Sequence, residues 1–187
     1  MKVLYKNSIN YSKESLDETY KTLVKPIGIG ACGVLVILWL ICTIFSFEEP
    51  ELIIFVWTFI FVGLIVYVFL FFLWYHKQLA KNEIKRYNVL YHSDRVKRDI
   101  EFNEDDVKIH NLSSGWAITL YYNQLIKVKE TEHYYVLLIW PSRLFMFLII
   151  DKSWFTQWDP KTFKEFITSK IKSNQELKKP EQSKKAK

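Results

Sequence analysis

No lysine, arginine or histidine occurs between Ile27 and Tyr75, and the charges in that stretch are three bunched acids, Glu48, Glu49 and Glu51. A soluble amphipathic helix needs a polar face, so this absence excludes two ordinary surface helices. Cysteine is scarce: Cys32 and Cys42 sit ten residues apart in one apolar run. At about 1.5 Å of rise per helical residue they lie roughly 15 Å apart, which excludes a disulfide between them. Both read as small hydrophobes, and no zinc site or oxidising compartment is implied. Glycine is also rare. After the first apolar run only Gly63 and Gly115 remain, so no phosphate-cradling loop exists. None of the four histidines, His76, His92, His110 and His133, has a partner at metal-ligand spacing. His133 adjoins Glu132, and in a strand such neighbours point to opposite faces. No catalytic residue, metal or cofactor is expected, and the chain is not expected to be an enzyme.

What is present is apolar and aromatic. Half of the 187 residues are hydrophobic and 17% are aromatic, yet a quarter are charged, so the two kinds must be segregated. Ile27–Phe47 and Leu52–Tyr75 each reach the roughly 20 uncharged residues that span a bilayer core. Glu48-Glu49-Pro50-Glu51 links them too tightly for anything but an antiparallel return. Lys21 and Lys25 precede the first span, Lys77, Lys81, Lys85 and Arg86 follow the second, and the link has no base. Positive charge stays inside, which predicts a multi-pass cell-membrane protein with both termini cytoplasmic. Trp74 and Tyr75 fit an interfacial belt. Gly28, Gly30 and Gly33 lie near the start of the first span, and Gly28 and Gly30 with Ala31 and Cys32 form a small-residue surface for close helix approach. The spans lack ionisable groups, which disfavours a transporter acting alone.

Residues 1–26 read as a cytoplasmic amphipathic segment. Ser15-Leu16-Asp17-Glu18 has capping-box form, Leu16, Tyr20, Leu23 and Val24 follow at helical spacing, and Pro26 ends the run. Residues 76–95 read as a juxtamembrane helix and linker, with His76–Tyr91 a helical continuation of the second span. Lys77, Lys81 and Lys85 share one face with Arg86 beside it, and these four are the candidate contacts for lipid headgroups.

From residue 96 the period changes to two. Ile100/Phe102, Val107/Ile109, Trp116/Ile118/Leu120 and Ile126/Val128 alternate, and Tyr134–Trp140 and Leu144–Ile150 are denser runs. Six or seven mostly antiparallel strands are predicted. Asp159-Pro160 opens a helix whose apolar face is Phe163, Phe166, Ile167 and Ile171. The expectation is an α+β membrane protein: a transmembrane hairpin over 27–75, then a small antiparallel β domain over 96–172 capped by that helix. Residues 173–187 form a basic tail expected to be disordered.

The run Arg98-Asp99-Ile100-Glu101-Phe102-Asn103-Glu104-Asp105-Asp106-Val107 after a membrane hairpin resembles the bacterial YcxB-like family of small membrane proteins. So does Leu120-Tyr121-Tyr122-Asn123-Gln124-Leu125-Ile126-Lys127-Val128-Lys129-Glu130-Thr131. Phe147-Leu148-Ile149-Ile150-Asp151-Lys152-Ser153-Trp154-Phe155, before Asp159-Pro160, fits as well, departing at Asp151 where the family tends to have proline. The resemblance implies a C-terminal pleckstrin-homology-like (PH-like) domain, a bent antiparallel sheet capped by a helix. It implies no reaction.

The pI is near 9.1, but the bases are interleaved with acids in the strand domain and gather at the membrane and in the tail. The positive-inside pattern accounts for them without nucleic acid. The favoured reading is a membrane-anchored scaffold that presents the domain to a protein or peptide, with Tyr121, Tyr122, Trp154 and Trp158, beside Trp116, as partner-binding candidates. One alternative is reading of anionic lipid through Lys127, Lys129, Arg143 and Lys152. Another is a structural subunit of a larger membrane complex. The bilayer itself is the one partner implied directly; a homo-oligomer is left open.

Overall fold

A computed structural model describes residues 3–45, 51–139, 146–155 and 159–184. The elements run β1 (Tyr5–Tyr11), α1 (Lys13–Phe45), α2 (Glu51–Tyr91), β2 (Val96–Phe102), β3 (Asp106–Asn111), β4 (Ala117–Tyr121), β5 (Leu125–Glu130), β6 (Tyr134–Ile139), β7 (Phe147–Asp151) and α3 (Pro160–Lys184). They form two compact units. The head comprises Met1–Thr19 with Glu83–Lys187, and the hairpin comprises Tyr20–Asn82.

The head holds two antiparallel sheets, ordered β1-β2-β3-β4 and β5-β6-β7. β1 corrects the sequence reading, which took residues 1–26 as one amphipathic segment. Tyr5–Tyr11 alternates, with Asn7, Ile9 and Tyr11 buried, and pairs with β2 from Tyr5↔Phe102 to Tyr11↔Val96. The hairpin is therefore inserted between two neighbouring strands of one sheet. β6 and β7 bury successive residues, Tyr135 to Leu137 and Leu148 to Ile150, as strands covered on both faces do.

α3 begins where Asp159-Pro160 predicts. The Asp159 carboxylate accepts from Lys161 N at 3.3 Å, and Phe163 N donates to Asp159 O. Phe163, Ile167 and Ile171 are buried. Phe163 packs edge-on against Tyr5 and Phe102 of the first sheet, at centroid distances of 5.4 and 4.9 Å, and meets Tyr135 of the second at 5.9 Å. The helix thus plugs both sheets at once. It continues to Lys184, where a disordered tail from Ser173 was expected; helical hydrogen bonding outlasts the apolar face, which ends at Ile171.

Two further boundaries move, and a third holds. α1 starts at Lys13, with Ser12 as its cap: Ser12 N donates to Ser15 Oγ and Leu16 N to Ser12 O. Glu18, expected to close a capping box with Ser15, bonds elsewhere. Pro26 lies inside α1 rather than ending a first helix, its missing N–H outweighed by the turns on either side. α2 runs unbroken to Tyr91, the end of the helical continuation read from the sequence, and stops at His92, whose φ of 51° is the left-handed stop more usual for glycine.

In the hairpin unit, both helices are long and apolar enough to cross a membrane. Their large side chains point outward, with Phe45 84% and Phe59 75% exposed. The helices run antiparallel. Trp39 Nε1 donates to Thr58 Oγ1 at 3.3 Å, and a Cβ on Gly28 would lie 2.9 Å from Phe72 Cγ. Gly30 and Gly33 face open space, so only Gly28 of the three marks a close approach.

Candidate interaction surface

β4 is an edge strand, bonded to β3 on one side, and among the described residues no strand pairs with its other side. Asn111 N donates to Trp116 O, so the bonded pairs of this ladder are 111/116, 109/118 and 107/120. Ala117, Thr119 and Tyr121 therefore direct their backbone groups to the free edge. Tyr121 N is taken by Gln124 Oε1 at 2.9 Å; those of Ala117 and Thr119 are open to a partner strand.

Trp116 to Tyr122 carries no charge, and Trp116, Ile118 and Tyr121 are 41%, 41% and 56% exposed. Natural edges are usually guarded by lysine, proline or a bulge. This one has none. Ile118 sits in the row of Ile109 and Ile100, so the apolar floor of the first sheet continues to its rim uncovered.

Of the predicted partner residues, Tyr121 and Trp154 are exposed. Tyr122 is not available. It is buried, and its hydroxyl donates to Asn103 O at 2.6 Å. Burial, with Asp106 and Asp105 nearby, pushes that hydroxyl well above its ordinary pKa. Trp158 lies outside the described residues. The sequence reading missed Ala117, Thr119 and Ile118; the signal was an uncharged run among strands that nearly all carry charge.

Lys77, Lys81, Lys85 and Arg86 are all exposed on α2, with Arg86 3.6 Å from Glu83. The cations proposed to read lipid from the head differ in their surroundings. Lys127 is exposed and Arg143 lies outside the described residues. Burial, with Lys127 beside it, lowers the Lys129 pKa. Lys152 is engaged by Glu130 Oε1 at 2.9 Å and by the carbonyls of Thr131 and Glu132. Lys164 takes the other Glu130 oxygen, and the two lysines hold that carboxylate below its usual pKa. Around this cluster, Tyr135, Lys161, Thr168 and Lys172 line an open groove of about 680 Å³.

His133 stands in the turn between β5 and β6 rather than in a strand, and it faces α1. Its ring Nδ1 and its backbone N each lie 3.0 Å from the Glu18 carboxylate. At Asp151 the carboxylate accepts from Ser153 N and Oγ and so holds the turn that follows β7.

The class these features define is an α+β head on a chain with two helices apolar enough to cross a membrane. Residues 102–167 match the family model described as YcxB-like protein, from the last residue of β2 to Ile167 of α3. β1 and the hairpin lie outside that match. No curated protein and no solved structure matches the chain.

Proposed function

We propose that this protein is a membrane-anchored, non-enzymatic interaction module, whose PH-like cytoplasmic head captures an extended segment of a protein partner along β4. The carrying observation is the unguarded β4 edge, with free backbone groups at Ala117 and Thr119 beside exposed Trp116, Ile118 and Tyr121. Strand addition uses those two elements, backbone bonds for affinity and alternate side-chain contacts for selectivity. Two sheets of four and three strands with a C-terminal helix against both support the PH-like reading.

Placement rests on connectivity as well as charge. Tyr11 and Val96 are paired neighbours, so the chain leaves and re-enters the head at one end. Two antiparallel spans satisfy that demand, with both termini on one side. The uncharged stretch from residue 27 to 45 rises about 28 Å as a helix, close to the roughly 30 Å hydrocarbon core. The bases beside the spans make that side cytoplasmic. The exposed α2 cations favour attraction to anionic lipid of about 1 kcal/mol each, which orients the hairpin without selecting a lipid.

The test is photo-crosslinking of the full chain in its native membrane, with the probe in place of Tyr121 and Thr119→Pro as the control. Proline removes an outward N–H and leaves the β3–β4 ladder intact. A protein crosslink that disappears with Thr119→Pro is expected. Crosslinks to lipid alone, or a protein crosslink indifferent to Thr119→Pro, overturn the reading.

A further inference from the structure

We propose that Arg98 and Asn111, partners across β2 and β3, form a binding site for a tetrahedral oxyanion of the phosphate class. Both stand on the inward face of the first sheet, in the row that begins with Ile9. Arg98 Cζ lies 4.3 Å from the centroid of the Tyr11 ring. The Tyr11 side chain also hydrogen-bonds the guanidinium, but not at every donor. Nε is sealed from solvent and has no hydrogen-bond partner. Asn111 is 1% exposed, and its Nδ2 is likewise sealed and unpartnered. Its orientation is set, because Oδ1 accepts from Ser113 N at 3.0 Å. Two buried donors thus stand on adjacent strands with no acceptor.

Charge narrows the class of acceptor that fits. Among the described residues no carboxylate pairs with Arg98. The acids of its own strand face the other way and are engaged, Asp99 by the Ser8 hydroxyl at 2.7 Å and Glu101 by Lys6 at 3.0 Å. A bridging water would satisfy both donors and leave the half-buried cation without a counter-charge. A planar carboxylate would match the guanidinium alone. A tetrahedral oxyanion offers oxygens in several directions, so it accepts from the in-plane edge of Arg98 and from Asn111 together. The source of the phosphate is a soluble ion or ester, or a phospholipid headgroup. This assignment is independent of what docks on β4.

The experiment uses the full chain in nanodiscs of zwitterionic lipid and follows the Arg98 Nε–H signal by NMR, identified by its loss in Arg98→Lys. Sodium phosphate is titrated against sodium chloride at equal ionic strength, and a second sample replaces part of the lipid with phosphatidylglycerol. A saturating displacement with inorganic phosphate is expected for a soluble source, and one produced by phosphatidylglycerol alone for a headgroup. Asn111→Leu should weaken phosphate binding by about tenfold. An Arg98 signal that moves equally in chloride, or in none of the samples, means a water-filled site and overturns the proposal. That readout is made on the native chain, so it stands even where a variant fails to fold.

Discussion

Asn7 and Asp151 exchange two hydrogen bonds: the Asn7 amide donates to Asp151 O at 2.7 Å, and its oxygen accepts from Asp151 N at 3.2 Å. The side chain copies a strand partner and so ties β1 of one sheet to β7 of the other. Asn7 is fully buried, so Asn7→Leu leaves a backbone pair unmatched. Denaturant unfolding followed by tryptophan fluorescence should show a loss of about 2–3 kcal/mol. Asn7→Asp, which keeps the acceptor and lacks the donor, should not restore it.

Phe163 is the hinge pin of the other corner, fully buried against rings from both sheets. Phe163→Ala should cost about 3–5 kcal/mol. Phe166→Ala, at a less buried site against Tyr5 and Tyr122, should cost less. Equal losses in the same unfolding assay refute this account of the docking.

The Glu18–His133 link makes stability depend on pH. Glu18, chiefly through its hydrogen bond to the ring, holds His133 above its ordinary 6.5. Burial raises the Glu18 pKa, but hydrogen bonds from Thr131 and His133 outweigh it and leave the carboxyl below its ordinary 4.5. The histidine contribution is complete below 6.5 and fades as pH rises through the higher folded value. The glutamate contribution is complete above 4.5 and fades as pH falls through the lower folded value. The gap in melting temperature between wild type and His133→Gln should therefore be widest between those two values and narrow on both sides. A gap that ignores pH rules the link out.

Gly28 and Gly30 should respond oppositely to alanine. At Gly28 the new Cβ meets the base of the Phe72 side chain, with Cγ at 2.9 Å and Cβ at 3.0 Å, which rotation cannot clear. At Gly30 nothing lies within 4 Å, and alanine favours the helix by about 1 kcal/mol. Thermal unfolding in detergent should show Gly28→Ala below wild type and Gly30→Ala at or above it.

The long periodic and uncharged segments were legible in the sequence, because local pattern alone determines them. Both apolar helices, strands β2 to β7 and the Asp159-Pro160 helix start were all read from spacing and end signals. β1 was not. Tyr5–Tyr11 has one aliphatic residue, and its inward positions include Asn7, whose burial is possible only because Asp151, 144 residues away, supplies its bonds. Ser12 went unrecognised as the cap because Ser15 with Glu18 made a better local motif, while Glu18 was drawn to His133 in a distant turn. Tyr122 and Tyr121 are indistinguishable neighbours in sequence; the short 3-10 turn at Tyr122–Gln124 puts one in the core and leaves the other outside.

Inserting the hairpin between β1 and β2 sets an order of events during synthesis. Tyr5–Tyr11 leaves the ribosome first, yet its mate Val96–Phe102 follows only after both long helices have been made. The first sheet cannot close until both of those helices have been made. A finished head is thus a record that the whole hairpin was made, and a chain stalled partway keeps an orphaned first strand.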